Sequence, residues 1–344
     1  MALKLPTRKI GTTDVTAIGY GAMGIAAFYG DPLPDEERLK ILDAVYEAGC
    51  TNWDTADIYK DSEDLIGKWF KRTGKRDEIF LATKFGIGSP SGKRVDGDPA
   101  YVRQAFEKSV KRLGVEKVDL YYLHRPDTTV PIEYTVGAMA ELVKEGKVKY
   151  IGLSEVSAST LRRAHAVHPI SAVQVEYSPF TLDIEAKENA VLQTARELGV
   201  AIIAYSPLGR GLLTGKYKGP DDFAEDDFRR HIPRFSKENF PKVLKVADDL
   251  KAVGERHGAS SGQVALAWLL AQGEDIIPIP GTRSFKYLQE NLGALDVQLT
   301  PEDVQDVRRI AEQADSSDLG DRYPPSSQHL LFADTPPLPA QETK

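Results

Sequence analysis

Ile79-Phe80-Leu81-Ala82-Thr83-Lys84 and Val118-Asp119-Leu120-Tyr121-Tyr122-Leu123-His124 are short apolar runs that each end on a residue able to bind or release a proton. A third run, Thr51-Asn52-Trp53-Asp54, comes before them and ends on a carboxylate, with Tyr59 close behind. The segments between the runs carry helical periodicity. Strand alternating with helix implies a parallel sheet with right-handed crossovers. In such a sheet the carboxyl ends of all strands gather on one face, where ligands bind. Asp54, Tyr59, Lys84 and His124 are therefore expected to meet. A carboxylate, a phenol, an amine and an imidazole together make a proton-transfer set.

The alternation extends in both directions. Residues 7–18 read as a small hairpin around Gly11-Thr12-Thr13-Asp14, followed by a glycine-rich strand end at 18–24. Helices are expected over 35–48, 63–71, 98–113, 131–144, 157–166 and 185–198, many stopped by glycine. Further strands are expected over 148–153, ending at Ser154, over 171–175, carrying Gln174, and over 200–204, ending at Tyr205-Ser206-Pro207. A long polar stretch, 209–237, interrupts. Helices at about 238–257 and 261–271, a last strand at 275–279 and a helix at about 284–293 close the pattern. Eight strand signals predict an α/β fold of the (β/α)8 TIM-barrel type, with an N-terminal β-hairpin, extra helices and a C-terminal tail. An open doubly wound sheet is the competitor. Gly19-Tyr20-Gly21-Ala22-Met23-Gly24 has the wrong spacing for G-x-G-x-x-G, which counts against a Rossmann site. The expectation is one domain over 1–344. A helix after Thr300 leads into an irregular tail, 315–344, with Pro324, Pro325, Pro336, Pro337 and Pro339, packing over the barrel or fraying.

A net charge of −7 argues against nucleic acid or an anionic membrane as partner, and no apolar run is long enough to span a bilayer. The first residues lack the apolar core of a signal peptide, and the single Cys50 excludes an internal disulfide framework. A cytoplasmic setting and a small-molecule partner are the natural reading. The six histidines form no H-E-x-x-H or Cys/His set, so no metal is expected. Chemically, a tyrosine acts as a general acid when a cation lowers its pKa, and Lys84, oriented by Asp54, is the obvious cation. His124 can donate a hydrogen bond to a substrate oxygen. The set suits protonating an alkoxide as it forms from a carbonyl, which also demands a hydride donor. Each residue alone has a plainer role as cap, packing or surface group; the four at successive strand ends outweigh it.

Asn52-Trp53-Asp54-Thr55-Ala56-Asp57-Ile58-Tyr59, Ala82-Thr83-Lys84 and Leu123-His124-Arg125 resemble the catalytic motifs of the aldo-keto reductases. The resemblance runs from Arg8-Lys9-Ile10-Gly11 to Asp334-Thr335-Pro336-Pro337. It is closest to the fungal, fission-yeast-type branch, through Gln174-Val175-Glu176-Tyr177-Ser178-Pro179-Phe180 and Ile279-Pro280-Gly281-Thr282-Arg283. Perakine reductase and the auxin-induced-like reductases of plants are a step further away. The resemblance implies an NADPH/NADP+-dependent aldehyde or ketone reductase. Tyr59 would be the acid, Lys84 and Asp54 its tuning pair, and His124 the orienting donor. Ser154 and Gln174 match positions that bind the nicotinamide carboxamide, and Tyr205 matches the residue that stacks on the ring. Most of the superfamily has Ser-Asn where this chain has Ser154-Glu155, so Glu155 is expected to accept from the carboxamide NH2.

For the phosphate end, the Ser206-Pro207-Leu208-Gly209-Arg210-Gly211 turn offers backbone N–H groups and a cation. The Phe228-Arg229-Arg230 and Pro233-Arg234-Phe235 cluster either folds over the cofactor or pairs with Asp226 and Asp227. Gly281-Thr282-Arg283-Ser284 opens a helix, and Arg283 is the candidate for the 2′-phosphate. Gln289 and Asn291 are assigned to the adenine side by family position. Many relatives have arginine where this chain has Tyr287, with Lys286 a possible substitute. For substrate, Met23, Phe28, Tyr29, Phe85 and Arg125 are the candidates, with Tyr323 and Phe332 of the tail closing the pocket. Arg125 can bind an anionic group; a pair with Asp127 competes. Two other classes compete overall: a cofactor-sensing module like the potassium-channel β-subunits, which resemble this superfamily, and a Schiff-base lyase using Lys84.

Overall fold

The structure, a computed structural model, describes residues 4–317 and 319–340. An antiparallel hairpin, β1 (Thr7–Ile10) and β2 (Thr13–Thr16), precedes a sheet of eight parallel strands. These are β3 (Tyr20–Gly21), β4 (Asn52–Asp54), β5 (Phe80–Phe85), β6 (Val118–Leu123), β7 (Val148–Ser154), β8 (Ala172–Glu176), β9 (Ala201–Tyr205) and β10 (Ile276–Pro278), and they neighbour one another in chain order. The sheet curls until its edges meet. Gly19 N donates to Pro278 O at 2.9 Å, and Gly21 N to Pro280 O at 3.3 Å. Glycine is what allows this seam: a Cβ on Gly21 would lie 2.6 Å from Ile279 O, and one on Gly281 would lie 2.5 Å from Gly21 O. The result is the expected barrel.

Strand alternation sorts the side chains into two separate apolar clusters. Phe80, Ala82, Leu120, Tyr122, Ala172, Ile203 and Ile277 point inward. Leu81, Phe85, Tyr121, Leu123, Val173 and Ile202 point outward into the helix layer. Ile10 and Val15 of the hairpin join the inner cluster and plug its lower end. The same inward phase carries Asp54, Lys84, Gln174 and Tyr205 to the upper end.

The chain departs from expectation in three places. The helix expected at 185–198 is only Val191–Leu198, after a single 3-10 turn at Asp183–Glu185. Arg308 ties up Glu185 at 2.6 Å, and Ala190 adopts φ 49°, which breaks the helical path. The 209–237 stretch folds into four short 3-10 turns, one fixed by the buried Arg229–Asp227 pair at 2.7 Å. The helix Pro301–Ser316 enters the stretch expected to be tail; beyond it, the described residues through 340 take the packed one of the two expected courses, and 318 and 341–344 lie outside the described residues. Ala333 bridges Val156, and Arg163 donates to the carbonyls of Thr335 and Pro336. Among the described residues no helix is long and apolar enough to cross a membrane.

Candidate active site

A cavity of about 620 Å³ opens at the carboxyl ends of the strands. Register sets its base. Gly21, Asp54 and Ala82 are paired across β3, β4 and β5, Lys84 pairs with Tyr122, and Ser154 with Gln174. Lys84 lies completely buried beneath the cavity. Its ammonium pairs with Asp54, donates to Thr55 O at 2.9 Å and reaches the Tyr59 hydroxyl at 3.5 Å. Gln174 Nε2 donates to the other Asp54 oxygen at 2.8 Å. The Tyr59 and His124 rings meet edge-on at 5.7 Å, and both face the cavity.

The titration behaviour corrects one expectation. Burial, reinforced by the Asp54 carboxylate, pushes the Tyr59 phenol up, not down. Burial and Asp54 outweigh what the Lys84 cation lends the phenolate, because burial depresses the ammonium itself and Asp54 offsets its charge. Burial likewise pushes Asp54 up, opposed by Lys84. Burial, helped by Lys84 and Arg125, holds His124 well below the ordinary histidine range, so its imidazole is neutral. The site therefore holds a protonated phenol and a neutral imidazole against a buried pair.

Glu155 is a second correction. It does not line the cavity. Its carboxylate accepts from both Arg322 nitrogens at 3.0 Å, from Tyr205 Oη at 2.7 Å and from Glu176 N at 3.2 Å. These bonds occupy the oxygens expected to serve the carboxamide. Arg322, from the tail, also pairs with Glu176 at 3.3 Å and Asp183 at 2.8 Å. Neither Arg322 nor Glu176 was singled out from the sequence. The signal was there: a glutamate in the place of asparagine inside a barrel requires a cation. Burial pushes Glu155 up, but Arg322 and Arg125 outweigh it and hold the carboxyl low.

Other candidates divide. Met23, Tyr29, Arg125, Ser206, Pro207 and Leu208 line the cavity, as do Gly211, Thr282, Ser284 and Asn291. Phe85 does not: it stacks on Tyr121 at 4.8 Å in the helix layer, because it sits one residue out of phase with Lys84. Gln289 faces solvent, whereas Tyr287, Glu290 and Asn291 turn inward. Arg210 lies 4.5 Å above the Tyr323 ring and 3.4 Å from Glu176, so its charge is matched. Arg283 is exposed and donates to Asp31 O at 3.0 Å. Lys286 is exposed beside Tyr287 and does not line the cavity. Arg229 pairs with Asp227, packs over Tyr29 at 4.8 Å and lines the cavity, whereas Arg230 and Arg234 do not line it and donate to backbone carbonyls, among them Phe223 O and Phe180 O. Arg125 does not pair with Asp127, whose oxygens accept from Gly97 N and Thr129 N. Tyr323 lines the cavity; Phe332 instead covers Arg322 at 5.1 Å.

The aldo/keto reductase family model matches residues 17–312, nearly the whole barrel. The chain belongs to the aldo/keto reductase family. It is 60% identical over 342 residues to aldo-keto reductase str7 of Strobilurus tenacellus, covering 98% of this chain and 100% of that protein. It is 49% identical, with the same coverage, to aldo-keto reductase yakc [NADP(+)] of Schizosaccharomyces pombe. Among solved structures, the glycerol dehydrogenase AKR11B4 from Gluconobacter oxydans superposes with a TM-score of 0.79 at 28% identity, over 90% of this chain and 95% of that one. The thermostable aldo-keto reductase Tm1743 gives 0.72 at 29% identity, over 89% and 100%. This aldo/keto reductase thus shares its family with fungal enzymes over their full length.

Proposed function

We propose that this chain reduces aldehydes, and ketones of similar shape, to alcohols with NADPH, and that Tyr59 delivers the proton. The observation that carries the reading is a cavity-facing phenol, kept protonated by burial, 3.5 Å from a lysine that is itself paired to Asp54. The cavity suits a dinucleotide by its donor set. An aromatic wall (Tyr205) and an amide (Gln174) lie at one end, while the Ser154 hydroxyl is buried outside the lining and accepts from Arg125. Backbone-rich turns at 206–211 and 281–284, and an exposed Arg283 before the helix Phe285–Gly293, lie toward the other. NADPH supplies the hydride when bound, and the yakc relative carries NADP(+) in its name.

The protein groups do the rest. A substrate oxygen between Tyr59 and His124 accepts from the phenol, and from His124 if its cavity-facing nitrogen carries the proton. As charge develops on that oxygen, the Tyr59 proton moves to it, and the Lys84 ammonium beside the phenol stabilises the phenolate left behind. Asp54 keeps Lys84 charged for that moment. The same ties argue against Lys84 as a Schiff-base nucleophile, since its ammonium is paired and doubly hydrogen-bonded. The test is aldehyde-dependent oxidation of NADPH, followed by the loss of reduced-nicotinamide absorbance, compared with NADH. Tight NADPH binding without aldehyde-dependent oxidation across a broad panel would sink the reading.

A further inference from the structure

Arg125 differs from the other buried arginines around the cavity. Arg210 is matched by Glu176, Arg229 by Asp227, and Arg322 by Glu155. Among the described residues no carboxylate lies within ion-pair distance of Arg125. Its donors reach only neutral acceptors: His124 O at 2.8 Å, Ser154 Oγ at 3.2 Å and Tyr323 Oη at 3.1 Å. The guanidinium otherwise faces the rings of Tyr205 and Tyr323, at 5.9 and 5.7 Å. It is only 8% exposed, and it lines the same cavity as Tyr59 and His124.

The carboxylates nearby are taken by other cations. Glu155, Glu176 and Asp183 pair with Arg210 and Arg322, which leaves Arg125 without a carboxylate partner of its own. Lys84 and Asp54 cancel each other nearby. A guanidinium cannot shed its proton to escape burial, so its positive charge is permanent. Leaving such a charge unpaired in a low-dielectric site is costly. An anion entering the cavity relieves that cost and finds a planar fork of donors suited to a carboxylate.

We propose that Arg125 recognises a carboxylate on the substrate, so that the preferred substrates are carbonyl compounds carrying a carboxylic acid. This rests on the reductase reading above and narrows its substrate class. The carbonyl sits at Tyr59 and His124, and the carboxylate extends along the cavity wall to Arg125. Binding energy gained at the remote anion then orients the carbonyl for reaction.

The experiment is a matched pair, 4-carboxybenzaldehyde and 4-carbamoylbenzaldehyde, in wild type, Arg125→Met and Arg125→Lys. The readout is the ratio of kcat/KM for acid over amide, which is independent of the absolute rates. Wild type should favour the acid by roughly 10- to 100-fold. Arg125→Met should bring the ratio near one, and Arg125→Lys should restore part of it. In parallel, benzoate should bind the NADP+-loaded wild type by calorimetry more tightly than benzamide. A wild-type ratio near one, or equal binding of benzoate and benzamide, overturns the proposal while leaving the reductase intact. So does an Arg125→Met variant that weakens NADP+ and keeps the ratio, since Arg125 would then serve the cofactor. Benzoate binding that depends on Arg125, with neither aldehyde reduced, would retain the anion site and overturn the reductase reading instead.

Discussion

Two buried ion pairs stand at the mouth of the barrel and behave in opposite ways. Asp54 and Lys84 come from neighbouring strands, 30 residues apart, and burial pushes both toward their neutral forms. Glu155 and Arg322 are 167 residues apart, one beyond a strand end and the other in the tail, and there the charges hold: Glu155 stays low and Arg322 stays high. The difference lies in the number of partners. Arg322 has three carboxylates, Glu155, Glu176 and Asp183. Lys84 has one, shared with Gln174. A pair that burial pushes toward its neutral form can respond to a proton moving beside it. A pair with surplus partners cannot, and serves to fix the tail.

The sharpest way to break the comparison is on the responsive side. Tyr59→Phe removes the proton and leaves the ring. It should lower kcat by about 10²- to 10⁴-fold, the usual share of a general acid, with NADPH affinity kept in a fluorescence titration. Retained turnover would move the acid role elsewhere. On the fixed side, Arg322→Met should act on stability. It strands Glu155, which is fully buried, and should cost about 3–5 kcal/mol by urea unfolding. Adding Glu155→Gln to that variant should recover part of the loss. A change under about 1 kcal/mol would put the knot among pairs that contribute little.

The same contrast explains what the sequence disclosed. The inward phase of a strand is a period of two, so Asp54, Lys84, Gln174 and Tyr205 could be placed on the barrel interior from short runs alone. Phe85 was assigned by adjacency to Lys84 where alternation sends it outward. Gln289 was assigned by family position, yet helical phase turns Tyr287, Glu290 and Asn291 inward together. The tail has neither period. Nothing in Asp321-Arg322-Tyr323-Pro324 indicates that its arginine crosses to Glu155, since the pairing follows from charge burial across the whole fold. The shortened 185–198 helix has the same kind of cause, a tertiary ion pair from Arg308 overriding local propensity.

Arg283 sharpens the comparison from the far end of the cavity, because it is an exposed cation and its only hydrogen bond among the described residues is to a carbonyl. Arg283→Ala should weaken NADPH by about 10-fold and NADH far less, a loss typical of one charge-assisted contact. Equal weakening of both would place the 2′-phosphate elsewhere.

Asp57 supplies the smallest and most continuous test. It follows Asp54 on the same loop, its N–H donates to Lys84 O at 3.0 Å, and its Oδ1 is buried with no hydrogen-bond partner among the described residues. Burial, with Glu63 adding repulsion, raises its pKa from 3.8 to about 7. Between those two values the folded protein holds a proton that the unfolded chain has released. Its contribution is therefore complete below about pH 4, declines as the pH rises, and is gone above about pH 7. The slope is at most about 1.4 kcal/mol per pH unit. Asp57→Asn cannot titrate, so the difference in unfolding free energy between wild type and variant should drift steadily against wild type across that window. The Glu155–Arg322 pair, locked in its charged form, should contribute no such drift there. A difference that stays flat would mean that Asp57 is ionised in the folded protein and belongs with the fixed charges.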